Sequence, residues 1–190
     1  MLCGIPVAGY AQDGGARGSG GAFASAELGI AAAADAGAAS LLQRYWRPGP
    51  GLEATARAPF YAGTLEVGFQ HMHHDARGGD VPGFRGRFFF LGWDYGVPAT
   101  ARARLGAGLR LGMYEMRFDG DTIPGFRRNE SELALAVRPT LDYALGARWS
   151  ARAAAAYQVV FTHHRVEQVL LSGGVSRRFS MPSWLRDFLD

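Results

Sequence analysis

The chain has 190 residues, 48% hydrophobic and 19% charged, which is one domain's worth of foldable sequence and not the composition of a disordered chain. Its 20 basic and 17 acidic residues give a formal charge of only +3, with no arginine run of the kind that grips nucleic acid, and the lone Cys3 excludes an internal disulfide or a multi-cysteine zinc site. No stretch of about 18 consecutive apolar residues occurs, which excludes a spanning helix but not spanning strands, whose alternation halves the apolar signal.

Met1 to Ala11 (MLCGIPVAGYA) is apolar and ends Gly9-Tyr10-Ala11, with small residues at the two positions a signal peptidase reads. It is expected to be the remnant of an export signal that lacks its basic start, and Gln12 to Gly21 a flexible leader. Residues 22–179 then read as the folded domain, and 180–190 as a C-terminal tail.

A first strand is expected near Phe23 to Asp35, although its alanine run also suits a helical turn. Leu52 to Phe60, Thr64 to His74 and Phe84 to Tyr95 follow, with Phe89, Leu91, Trp93 and Tyr95 on one face of the last. The period of two is clearest next. From Ala103 to Met113, Leu105, Leu109, Leu111 and Met113 share one face, while Arg104, Gly106, Gly108, Arg110 and Gly112 share the other. Leu133, Leu135, Val137, Leu141 and Tyr143 then oppose Glu132, Arg138 and Asp142. A segment from Trp149 to Phe161 and a last one ending at Phe179 complete a set of eight.

The links alternate as well. Tyr61 to Gly63, Gly96 to Thr100 and Gly146-Ala147 are short, whereas Ala36 to Gly51, Asp75 to Gly83 and Asp119 to Asn129 are long and polar. Short turns at one end and long loops at the other are the habit of an up-and-down barrel in the bacterial outer membrane. Aromatic residues at strand ends (Tyr45, Trp46, Phe60, Tyr61, Trp93, Tyr95, Tyr114, Phe118, Tyr143, Trp149 and Phe161) match girdles at headgroup level.

In this pattern the chain resembles the small eight-stranded outer-membrane barrels, the family of the outer-membrane protein A transmembrane domain and its X-type relatives. The resemblance covers roughly Phe23 to Phe179 and is architectural. A final strand ending in outward aromatic character (Val175, Arg177, Phe179) is similar to the signal read by the barrel-assembly machinery, although Phe179 is followed by eleven residues. That tail suggests a short amphipathic helix from Ser183, with Trp184, Leu185 and Phe188 on one side. The resemblance implies a closed all-β transmembrane barrel partnered by outer-membrane lipid and lipopolysaccharide, and by the assembly machinery during insertion. It leaves oligomeric state open.

Eight strands enclose a lumen only wide enough for side chains to fill. Parity sends Glu27, Glu53, Arg57, Glu66, Arg102, Arg104, Arg110, Glu132, Arg138, Asp142 and Arg152 inward, where unpaired charges are costly. Folding about each short turn sets Arg57 against Glu66, Asp94 against Arg102, and Asp142 against Arg152, which predicts three lumen ion pairs and a closed pore.

His71, His73, His74, His163 and His164 all fall near the long-loop rim. They are weak metal candidates whose spacing matches no established ligand motif, and polar rim residues are the expected reading. Outer-membrane lipid A deacylases carry His-x-Ser, which does not occur here, and no catalytic set or cofactor is assigned. The expected role is structural or surface-interacting. The alternatives are a lipid-modifying enzyme of the outer membrane, a narrow solute channel, or a soluble lipocalin-type barrel with its apolar face inside.

Overall fold

Alternating bulky apolar residues with glycine, alanine and charge gives every segment one greasy face and one mixed face. Strands patterned in this way satisfy their edges by closing on themselves. The computed structural model describes residues 25–37, 41–78, 81–119, 129–163 and 165–182. Its strands are β1 (Ser25–Asp35), β2 (Trp46–Phe60), β3 (Gly63–Ala76), β4 (Phe84–Pro98), β5 (Ala103–Phe118), β6 (Asn129–Ala144), β7 (Trp149–Val160) and β8 (Val166–Ser180). Each is antiparallel to its sequence neighbour, and β1 pairs with β8 to close the barrel. The alanine run of β1 is strand, with Ala31 to Ala34 paired on both sides. The proposed leader, the export signal and the tail helix from Ser183 lie outside the described residues.

The barrel differs from the sequence reading mainly at the long-loop end. There β2 begins at Trp46 instead of Leu52, and a short helix α1 (Leu41–Tyr45) occupies part of the expected first loop. The early strand was hidden by Pro48-Gly49-Pro50, which reads as a turn. It is accommodated by a register shift between Pro48 and Gly51, the kind of irregularity at which a strand tolerates proline. Strand β5 likewise runs on to Phe118.

The outer surface is the apolar one. Leu105, Leu109, Leu111, Leu133, Val137 and Leu141 are each roughly half exposed around the barrel waist, and Leu135 lies on the same face. Trp93, Tyr95, Tyr143, Trp149 and Phe179 form an aromatic band toward the short-turn end. Arg177 lies over both the Trp149 and Phe179 rings, at 5.6 and 5.1 Å, as a cation does at a wet interface. The opposite girdle is thinner than expected. Tyr114 is buried inside, and Trp46 and Phe118 pack against the interior cluster instead of facing out.

The interior is divided along its length. Toward the long loops it is apolar, with Phe84, Phe88, Phe90, Tyr114 and Met116 in one cluster that Leu42 of α1 joins from above. Toward the short turns it is ionic. Inward glycines make room for both halves: a Cβ on Gly86 would collide with the Tyr114 ring, and one on Gly108 with the Asp94 carboxylate. The two faces together reverse the polarity of a soluble lipocalin-type barrel and set that alternative aside.

An arginine at the waist must enter hydrocarbon, whereas one near the short-turn rim can reach water. Leu111→Arg should therefore cost about 2–4 kcal/mol, and Leu145→Arg no more than about 1 kcal/mol. Urea titration of folding into phospholipid vesicles measures both. Equal costs would contradict the belt's placement.

Candidate functional site

The charged half of the lumen is one connected network of four arginines (Arg57, Arg110, Arg138, Arg152) and five carboxylates (Glu27, Glu53, Glu66, Asp94, Asp142). The Arg110 guanidinium grips Glu53 across the barrel through two bonds, at 2.8 and 2.6 Å, and donates to Glu66 at 2.6 Å. Such fork-to-carboxylate geometry is the strongest ion pairing side chains make. Arg138 donates to Glu66 and, at 2.9 Å, to Asp94, and is only 1% exposed. Arg152 bonds Asp94 and Asp142, each at 3.1 Å. At the short-turn end Glu27 takes Arg57 at 3.2 Å and accepts a bond from the Ser176 hydroxyl. The face of Arg110 rests 3.9 Å from the Phe90 centroid, so one side chain joins the ionic floor to the aromatic half.

The structure sorts the three expected pairs differently from one another. Asp142 and Arg152 are directly opposed and in contact, Arg152 Nε lying 2.8 Å from Asp142 Oδ1. Arg57 and Glu66 are also opposed, but they do not pair. Arg57 has a carboxylate on each side. Glu66 is already held by Arg110 and Arg138, so Arg57 turns to Glu27.

The third expectation is corrected. Asp94 lies opposite Gly108, not Arg102, and its partners are Arg138 and Arg152. The cause is the turn: β4 continues to Pro98, and the Thr100 hydroxyl then accepts bonds from the N–H groups of Arg102 and Ala103. That turn leaves Arg102 exposed at the short-turn mouth. Arg104 keeps its inward parity but sits at the same mouth, donating to the Gly96 carbonyl at 2.9 Å. Glu132 is at the opposite end of the lumen, beside the long-loop mouth, and takes no part in the network.

The histidines do not converge. His71 and His73 are on the outward face of β3, where His73 Nε2 lies 3.0 Å from Asp75. His74 points inward and is fully buried, its ring stacked on Phe84 at 4.3 Å. His163 lines the long-loop mouth, and His164 lies outside the described residues. Among the described residues, no three His, Cys, Asp or Glu side chains gather as metal ligands.

Sequence reasoning missed the long-loop mouth itself. There Leu42 of α1, Trp46, Phe84, Met116 and Phe118 line a cavity of about 830 Å³ together with Glu130 and Glu132 on the neighbouring β6. A signal was present: Phe88 and Phe90 alternate with Phe89 and Leu91, so both faces of β4 are apolar there.

No model of a known protein family matches this sequence, and neither does any curated protein sequence. Solved structures do match. The chain is similar to Neisserial surface protein A, with a TM-score of 0.63 and 16% identity over 82% of this chain and 97% of that one. Its fold is that of the small eight-stranded outer-membrane barrels. Two further examples are the outer membrane protein OprG from Pseudomonas aeruginosa (TM-score 0.54, 15% identity, 84% and 98% covered) and Ail, the attachment invasion locus protein of Yersinia pestis (0.52, 14%, 82% and 98%). At these identities the likeness concerns the barrel alone, and the network and mouth above are read from this chain's own residues.

Removing Arg138 takes a cation from three buried carboxylates, Glu53, Glu66 and Asp94, and leaves three guanidinium groups among five carboxylates. Arg138→Ala should destabilise the barrel by about 3–5 kcal/mol. The exposed turn residue in Arg102→Ala should cost about 0.5 kcal/mol or less. Urea midpoints in the same vesicles test the contrast, and a mild effect at Arg138 would refute the network's structural weight.

Proposed function

We propose that this barrel is a non-conducting protein of the bacterial outer membrane with a structural or surface-interaction role. The observation that carries the reading is the lumen's ionic floor. Charged side chains from seven of the eight strands meet there, and β8 adds the Ser176 hydroxyl that bonds Glu27. A hydrated ion crossing that layer would have to break several buried, charge-assisted contacts.

The apolar belt supports insertion in a bilayer, with short turns on the periplasmic side and the long-loop end outside. Outer-membrane lipid and lipopolysaccharide are then the surrounding partners. Supporting this, Arg85 and Arg117 are directly opposed on the outward face beside Arg87, above the belt residues Phe89 and Met113. Like charges placed side by side on a sheet are unfavourable unless anions answer them. Asp119 and Glu115 answer in part, at 3.2 and 3.7 Å, and lipid phosphates fit the remainder.

In planar bilayers the wild-type barrel should give no steady current, and Arg138→Ala combined with Glu66→Ala should introduce one. A steady ohmic conductance from the wild type would sink the closed-lumen reading and favour the narrow channel.

A further inference from the structure

The long-loop mouth has a composition that neither a structural barrel nor a closed floor requires. One wall is aromatic and aliphatic: Trp46, Phe84, Met116 and Phe118, with Leu42 and Tyr45 of α1 beside them. The wall continues onto β6, the strand next to β5, where inward parity places Glu130 and Glu132 two residues apart on one face, with Glu130 directly beside Met116. Both carboxylates are half-buried, and neither has an ion-pair partner among the described residues. A cavity of about 830 Å³ is the size that holds small organic ligands.

The wall is also held in place. The Trp46 indole N–H donates to the Pro82 carbonyl at 2.7 Å, which fixes its ring edge-on to Phe84 at 5.2 Å. Leu42 is buried in the same cluster, so α1 is anchored to the barrel interior and does not merely lie over it. Below, the Phe84 ring stacks on His74, whose two ring nitrogens have no hydrogen-bond partner among the described residues. Deeper in the barrel, the packed side chains of Phe88, Phe90 and Tyr114 separate this cavity from the ionic layer.

We propose that this mouth binds a small organic cation with an apolar body. The body would lie against Trp46, Phe84 and Phe118, and the charged end would face Glu130 and Glu132. Two physical terms act in the same direction. Aromatic faces attract a desolvated cation, and a pair of half-buried like-charged carboxylates is relieved by one. An anionic guest would meet those carboxylates unfavourably, and a neutral one would leave them unanswered. The inference goes beyond the closed-barrel reading, and a binding measurement is independent of the conductance that tests that reading.

The test uses the full chain, folded in lipid nanodiscs, with folding of each variant checked by the gel mobility of boiled and unboiled samples. Benzyltrimethylammonium is titrated by calorimetry against its neutral carbon analogue neopentylbenzene and the anion benzenesulfonate. The expected result is saturable one-to-one binding of the cation, at least ten-fold tighter than either comparison compound. The pair Glu130→Gln and Glu132→Gln should weaken cation binding at least five-fold while leaving the neutral analogue unchanged. Trp46→Ala should weaken both. Glu115→Gln, which alters a carboxylate on the outward face, should change neither. No saturable cation binding by the folded wild type would overturn the proposal. So would equal affinity for cation and neutral analogue, or undiminished affinity in the folded double glutamine variant.

Discussion

Four guanidinium groups and five carboxylates share one lumen, buried at its centre and reaching the short-turn mouth through Glu27 and Asp142, and the barrel's other features accommodate that layer. Taking such charges out of water costs several kcal/mol per ion, which is recovered only where geometry is good and most donors and acceptors are used. Arg110 meets this condition with its fork on Glu53 and a further bond to Glu66, and Arg138 bridges Glu66 and Asp94. The network crosses the barrel instead of running along hairpins. It therefore ties strands far apart in sequence: Arg110 and Glu53 are 57 residues apart, and Arg138 and Glu66 are 72. Those ties add to what the interior aromatic cluster supplies by packing, in a protein most of whose exposed large residues are the hydrophobic ones of its outer belt.

Two consequences follow for the lumen. Bulky charged side chains need empty neighbours, and inward glycines such as Gly108, against the Asp94 carboxylate, provide them. The layer also ends abruptly. Phe90 caps the Arg110 face, and beyond it Phe88, Tyr114 and Met116 share the barrel with the buried polar side chains of Gln70, Gln158, Gln168 and His74. A lumen sealed midway by charge and lined above by aromatic rings is a cup, not a pore. That shape is why the long-loop mouth, and not the axis, is where this chain has room for a ligand.

The strand count, the inward parity of Arg110, Arg138 and Arg152, and the outward parity of Leu105 to Met113 were all legible, because one period-two rule governs them. Pairing was legible only where a short turn fixed the register. At Gly146-Ala147 it was, and Asp142 meets Arg152. At Gly96 to Thr100 the glycine and proline suggested an early turn, whereas Thr100 bonds two following N–H groups and moves it later, so Asp94 passes Arg102 by. Contacts across the barrel, such as Arg110 with Glu53, leave no mark on local spacing. They depend on closure, which no window of sequence contains. Trp46 was misplaced for a related reason: an aromatic at a strand end reads as girdle until the bulge at Pro48 shows which way the strand enters.

The account rests on the cross-barrel ion layer as a cooperative unit, and a double-mutant cycle between Arg110 and Glu53 measures that directly. Arg110→Met, Glu53→Gln and the double variant are compared with the wild type by reversible unfolding in phospholipid vesicles. The expected coupling free energy is at least about 1.5 kcal/mol, because either single change already breaks both bonds of the buried fork and the second change then has none of them left to break. Additivity within about 0.5 kcal/mol would contradict it, since two residues bonded by a buried fork cannot be energetically independent.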